Sequence, residues 1–269
     1  MRKIPRYISA LALLLPLVVP LLTPVATAVE NPSIQVLRIR DSTVSSSNWS
    51  GYVDFTGGTG FTNVTGTFTV TTVSGSAGTY SSHWTGIGGF AINDKTLIQA
   101  GFDEDVDSNG KPRYWSWYEL LPAAATPICG SSLTCSSYNI TAGDVITVTI
   151  RQTGVVNKKQ IWSISVADAT VSTTLHSSWT FTISVQYNSK LASAEWISER
   201  PRVGGTISLL ANFGNRTFTN GQTRYRGTLY DIASLPNYQV NMVNSVGNVL
   251  AQPGALSGGA FVVTWKASG

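Results

Sequence analysis

From position 48 onward, apolar residues return at every second position in segment after segment, and no stretch sustains an apolar period near 3.6. Over 63–73, Val64, Gly66, Phe68 and Val70 alternate with threonines. A period of two is what a strand with one buried face requires. Similar runs occupy 49–55, 81–87, 97–102, 113–120, 145–151, 160–167, 179–185, 192–197, 207–213, 238–243 and 261–266. Turn chemistry separates them: Asn109-Gly110, Ala142-Gly143-Asp144, Asn220-Gly221 and Ser257-Gly258-Gly259. About a dozen short strands without an intervening linker predict an all-β chain with little helix, folded as a single antiparallel β-sandwich of two packed sheets over 48–269.

The first 28 residues follow a different logic. Arg2, Lys3 and Arg6 precede an apolar run interrupted by Pro16 and Pro20, and Ala26-Thr27-Ala28 ends it. This is the layout of a secretory signal peptide rather than a membrane span, and it predicts a secreted, extracellular protein with no membrane attachment after cleavage. Residues 29–47 are polar and irregular and read as a flexible N-terminus or a short pro-segment. Three of the charges behind the net +4 lie in the signal, which leaves +1 on the rest. With only 12% charged residues and no Lys/Arg cluster, the chain carries no electrostatic footprint for nucleic acid. So few carboxylates is a composition compatible with an acidic habitat.

Cys129 and Cys135 are the only cysteines, and in an exported chain such a nearby pair predicts a disulfide. His83 and His176 are the only histidines, and no spacing resembles a ligand set, so neither a metal nor another cofactor is expected. Asp103, Glu104, Asp105 and Asp107 read as a solvated acidic turn that does not match an EF-hand loop.

Three stretches place chemistry on strands. Ser193-Ala194-Glu195-Trp196-Ile197 sets a carboxylate in an apolar strand, where lost solvation raises its pKa unless donors or a cation compensate. Leu97-Ile98-Gln99-Ala100-Gly101 sets a glutamine in another. Tyr114-Trp115-Ser116-Trp117-Tyr118-Glu119 carries aromatics on both faces, so one face suits a core and the other a cleft. Alternation puts Trp115, Trp117 and Glu119 on one face, opposite Tyr114, Ser116 and Tyr118. Taken singly, Glu195 also fits a salt-bridged strand glutamate, Gln99 a satisfied sheet glutamine, and Trp49, Trp84 and Trp117 ordinary core.

In chain order, these stretches resemble the glutamic peptidases (eqolisins). The resemblance rests on Asn48-Trp49-Ser50-Gly51, Val64-Thr65-Gly66-Thr67-Phe68, Trp84-Thr85-Gly86-Ile87, Ile98-Gln99-Ala100-Gly101, Trp117-Tyr118-Glu119, Ala194-Glu195-Trp196-Ile197 and Ala211-Asn212-Phe213. It implies a concanavalin A-like sandwich and a monomeric acid endopeptidase acting on polypeptides. Gln99 and Glu195 would be its catalytic dyad, with Trp49, Trp84, Trp117 and Glu119 around the substrate cleft. Gly88 stands where some members of that family carry an aspartate, which leaves Glu119 as the matching supporting carboxylate. The rival readings are a glycoside hydrolase with Glu119 and Glu195 as its carboxylate pair, and a non-catalytic carbohydrate-binding sandwich.

Overall fold

A computed structural model describes residues 43–130, 132–170 and 177–269; the signal segment 1–28 and most of 29–47 lie outside the described residues. The described strands run in order as β1 (Thr43–Ser46), β2 (Trp49–Asp54), β3 (Phe61–Thr69), β4 (Thr79–Tyr80), β5 (Ser82–Gly88), β6 (Leu97–Val106), β7 (Pro112–Leu120) and β8 (Thr126–Pro127). There follow β9 (Val145–Val156), β10 (Lys159–Asp168), β11 (Trp179–Gln186), β12 (Ala194–Glu199), β13 (Arg202–Val203), β14 (Thr206–Ile207) and β15 (Leu209–Leu210). The last are β16 (Asn215–Tyr225), β17 (Thr228–Asp231), β18 (Asn237–Val243), β19 (Val249–Pro253) and β20 (Phe261–Trp265). Helix is confined among the described residues to two three-residue 3₁₀ turns, Ser136–Tyr138 and Ile232–Ser234.

Pairing resolves two layers. The front layer is β1-β18-β2-β12-β5-β6-β7-β8, antiparallel apart from the parallel β1–β18 contact. The back layer is β20-β16-β3-β9-β10-β11, wholly antiparallel. β19 pairs with both β18 and β20 and carries the hydrogen bonding from one layer to the other. The main core lies between the layers: Tyr52, Ile87, Ile98, Phe102 and Trp196 from the front meet Phe68, Val148, Trp162, Ile164 and Phe218 from the back.

The front layer is buried on both faces. Its outer face carries a second apolar cluster of Trp49, Val53, Trp84, Leu97, Trp115, Trp117 and Ile197. Strands β2, β5, β6 and β12 are therefore buried at every residue. That explains the aromatics on both faces of β7: Tyr114 and Tyr118 pack on the main core, and Trp115 and Trp117 on the outer cluster.

Four sequence expectations need correction. The sheet begins at Thr43, inside the segment read as irregular, because β1 adds in parallel to β18. Asn220-Gly221 is not a turn but a bulge within the eleven-residue β16, where the register with β3 shifts between Thr219 and Gln222. A Cβ at Gly221 would lie 2.4 Å from Ile232 Cδ1 and 2.9 Å from the Gly259 carbonyl, so close packing demands glycine there. The run at 207–213 breaks into two-residue strands. The acidic turn also starts later than expected: Asp103, Glu104 and Asp105 are buried in β6, and only Asp107 caps a turn, accepting from the Asn109 and Lys111 amides.

The expected disulfide is present, with Cys129 and Cys135 bonded and their Cα atoms 5.6 Å apart. It ties the segment that follows β8.

Glu104 is tolerated in the core because it is paired. Its carboxylate meets Arg216 from β16, accepts from the Thr71 amide at 2.8 Å and hydroxyl at 3.1 Å, and lies 3.5 Å from His83 Nε2. Burial pushes its pKa up, but the Arg216 charge and His83 outweigh burial and the net shift is downward. Removing one partner of such a pair leaves an uncompensated buried charge, at about 3–5 kcal/mol. Arg216→Met is expected to lower the melting temperature by on the order of 10 °C. Adding Glu104→Gln should restore much of the loss, as measured by thermal denaturation of both variants.

Candidate active site

Strand pairing puts the sequence-predicted residues in one line. Across the front layer Val53 of β2 pairs with Glu195 of β12, Glu195 with Gly86 of β5, Gly86 with Gln99 of β6, and Gln99 with Glu119 of β7. Directly paired residues share a face, so Glu195, Gln99 and Glu119 all rise from the outer face. Glu195 and Gln99 are two strand spacings apart, about 9.5 Å between backbones. The residue between them has no side chain. A Cβ at Gly86 would sit 3.1 Å from Gln99 Cβ and 3.0 Å from the Ile98 carbonyl. Glycine at this position leaves a lane between carboxylate and amide that no side chain of its own enters, and Leu97 borders it, with Cδ1 3.1 Å from where that Cβ would lie.

Gln99 and Glu195 are both buried. Gln99 Nε2 donates to Glu119 Oε2, which fixes the amide and leaves its second N–H and its Oε1 uncommitted. Gln99 Oε1 has no protein donor, and neither Glu195 oxygen meets one in good hydrogen-bond geometry. Burial drives the Glu195 pKa well above its ordinary value. The nearby Ser193 hydroxyl opposes that rise, and the Asp94 and Asp54 carboxyls add to it. Glu119 is pushed up to about 9, chiefly by burial, with the Gln99 hydrogen bond opposing.

Trp49, Trp84 and Trp117 are not walls of an open cleft. They are buried in the outer cluster, and the rings of Trp49 and Trp84 meet edge to face at 5.0 Å. The reason is a second polar line four residues along each strand, where Glu199 pairs with Ser82, Ser82 with Asp103, and Asp103 with Trp115. Trp84 Nε1 donates to Glu199 at 2.7 Å and Trp117 Nε1 to Asp103 at 2.5 Å. The indoles thus fill the space between the two polar lines, each pinned by a carboxyl. Sequence reasoning missed this role for Asp103 and Glu199, although their spacing of four from Gln99 and Glu195 puts each on its partner's face.

Gly88 also has a structural reason. Its φ is +96°, and a Cβ would lie 2.4 Å from the Thr96 carbonyl, so an aspartate does not fit this backbone. The carboxyl in this region is Asp94, which accepts from the Gly89 amide at 3.3 Å and from the Thr96 amide and hydroxyl at 2.9 and 2.6 Å. Among the described residues no group of His, Cys, Asp and Glu side chains is disposed to hold a metal ion.

Residues 47–265 match the profile of the peptidase A4 family. The chain belongs to that family. It is 29% identical over 253 residues to aspergillopepsin-2 of Aspergillus niger, covering 86% of this chain and 82% of the relative. The fold resembles scytalido-glutamic peptidase bound to a transition-state analogue inhibitor, with a TM-score of 0.65 at 20% identity over 82% of this chain and 98% of that one. It also resembles aspergilloglutamic peptidase from Aspergillus niger, with a TM-score of 0.56 at 28% identity over 70% of this chain and 99% of that one. SCP-B, an eqolisin in complex with the tripeptide Ala-Ile-His, gives 0.63 at 19% identity, over 82% and 98% of the two chains. The protein is therefore a peptidase of the glutamic type, and polypeptides are its substrate class.

The buried carboxyls of this peptidase have a consequence for stability. Burial is the leading cause that raises Glu195 and Asp103, takes Glu199 and Asp105 to about 7, and takes Glu119 and Asp54 to about 9. The folded chain holds protons that the unfolded chain releases above pH about 4, so this contribution is complete in acid and is lost as pH rises through the folded values. His83 works in the opposite sense. Burial and the Arg216 charge lower it to about 4, so its contribution is lost as pH falls from about 6.5 toward 4. Glu104 and Asp107, whose pKa values are lowered, also lose their contribution in acid, but only as pH falls below about 4.5. The six raised carboxyls outweigh these two and the imidazole. Melting temperature measured from pH 3.5 to 8.5 is expected to be highest at the acid end and to fall through neutrality, less steeply in Glu199→Gln.

Proposed function

We propose that this peptidase is a secreted acid endopeptidase that hydrolyses peptide bonds with Glu195 as general base and Gln99 as water-holding and oxyanion-stabilising partner. The reading is carried by the lane over Gly86, with the Glu195 carboxyl on one side and the Gln99 amide, held by Glu119, on the other. A water in that lane would donate one hydrogen to Glu195 and one to Gln99 Oε1, and its oxygen would attack the scissile carbonyl. The free Gln99 N–H would donate to the developing oxyanion, adding no charge beside the base. Glu195, protonated by the attack, would then pass its proton to the departing amine.

The raised pKa of Glu195 comes chiefly from burial. Water and substrate entering the lane supply donors that favour the ionised form and return the group toward the carboxylate range. Protonation of Glu195 would set the acid limb of the rate profile. Ionisation of the buried carboxyls around it would close the neutral side. Secretion is inferred from the signal-like residues 1–28, and action as a monomer from the pairing of Glu195 and Gln99 within one chain.

The glycosidase reading asks Glu119 and Glu195 to act as a pair. They stand three strand spacings apart, about 14 Å between backbones. Such a pair needs its two carboxyl groups about 5–9.5 Å apart with the sugar between them, whereas here Gln99 stands on the line from Glu195 to Glu119. Glu119 is also engaged with Gln99.

Glu195→Gln is expected to abolish hydrolysis of an acid-denatured protein substrate while leaving the fold intact. Gln99→Ala should lower kcat by about 10²–10³-fold, and Glu119→Gln by less, since it orients the amide without touching substrate. A folded Gln99→Ala protein with near-wild-type activity would contradict the mechanism.

A further inference from the structure

Beside the Glu195 end of the polar line lies an aromatic group that the dyad does not use. Tyr238 of β18 pairs with Val53, the residue paired with Glu195, so Tyr238 extends the line two strands beyond the carboxylate. Phe55 follows β2 two residues after Val53 and packs on the same outer cluster. Phe90 follows β5 four residues after Gly86 and joins that cluster too. Ring centroids are 5.3 Å apart for Phe90–Tyr238, 5.5 Å for Phe55–Phe90 and 6.1 Å for Phe55–Tyr238.

Two features distinguish this trio from the tryptophans of the outer cluster. Trp49, Trp84 and Trp117 are sealed, whereas Phe55 and Tyr238 are only partly buried and Phe90 keeps 8% of its surface. On the loop that carries Phe90, Ile92 is 82% exposed, an unusual cost for an isoleucine beside a peptidase site. The three rings are inclined to one another by 43–64°, which presents both edges and faces to whatever lies against them.

We infer that Phe55, Phe90 and Tyr238 form a specificity site that takes a bulky apolar side chain of the substrate, aromatic before aliphatic, within two residues of the scissile bond. The inference rests on the dyad assigned above. Two strand spacings place Tyr238 about 10 Å from the Glu195 backbone, and an extended peptide advances about 3.3 Å per residue. A side chain on the residue next to the reacting carbonyl, or one further along, therefore spans the interval. An aromatic side chain finds edge-to-face partners there, in a contact worth more than its buried area alone.

The test compares two otherwise identical peptides, carrying Phe or Ala at each position flanking one cleavable bond. The wild-type chain should favour Phe at one position on a single side of that bond by at least about tenfold in kcat/KM. Phe55→Ala and Tyr238→Ala should shrink the ratio to below about threefold, mainly through KM, and Tyr238→Phe should keep it. Affinities of both peptides for Glu195→Gln protein, with and without Tyr238→Ala, give the same ratio without turnover. Loss of the dyad reading, seen as hydrolysis by Glu195→Gln, would thus remain distinct from loss of this one. Equal binding and cleavage of Phe and Ala peptides, or a ratio untouched in folded Phe55→Ala and Tyr238→Ala, would overturn the inference.

Discussion

The site depends on the pairing of β5 between β12 and β6. Because Gly86 is opposite Glu195 on one side and Gln99 on the other, a carboxylate and an amide from distant parts of the chain flank, on one face, a position with no side chain. A one-residue slip of either neighbour would turn its functional group into the main core. Register is well protected: Trp84 and Ile197 anchor the outer face of the same strands, and Ile87, Trp196 and Ile98 anchor the inner one. The geometry proposed for catalysis is thus a by-product of burying both faces of one layer.

That double burial also dictates the electrostatics. The outer face carries Glu195, Glu119, Asp103 and Glu199, none paired to a lysine or arginine among the described residues, and burial raises all four. Indole and amide N–H groups take the place of cations: Trp117 for Asp103, Trp84 for Glu199, Gln99 for Glu119. Neutral donors hold a carboxyl in either protonation state, whereas an ion pair needs it charged. Contrast Glu104, which serves structure in the inner core and is held ionised by Arg216. One face suits the proposed action in acid, and the other pins the two layers together.

Much of this was legible in the sequence because strand periodicity is an exact two. Once 97–102 and 192–197 are read as strands, the faces of Gln99 and Glu195 follow, and the family resemblance supplies the reason to bring them together. What escaped was whatever local chemistry disguised. Asn220-Gly221 has the composition of a turn, but Ile232 and Gly259 crowd it from other parts of the chain. Asp103, Glu104 and Asp105 have the composition of a solvated loop, and their donors Ser82, Trp117, Thr71, Arg216 and Trp115 lie mostly far away in sequence. The resemblance puts Trp49, Trp84 and Trp117 around a cleft, whereas all three are buried in the outer cluster and the Trp84 and Trp117 indoles donate to Glu199 and Asp103. Position 88 could not be interpreted until the backbone showed φ of +96° and the Thr96 carbonyl in the way.

The central claim is that Gln99 and Glu195 act as one unit on one water. A double-mutant cycle on kcat/KM with Gln99→Ala, Glu195→Gln and the double variant, each confirmed folded, measures this directly. If the two groups act jointly, the double variant will be about as impaired as the worse single variant. If the losses in the double variant instead multiply, the two residues act independently, and the shared lane over Gly86 is not where catalysis takes place.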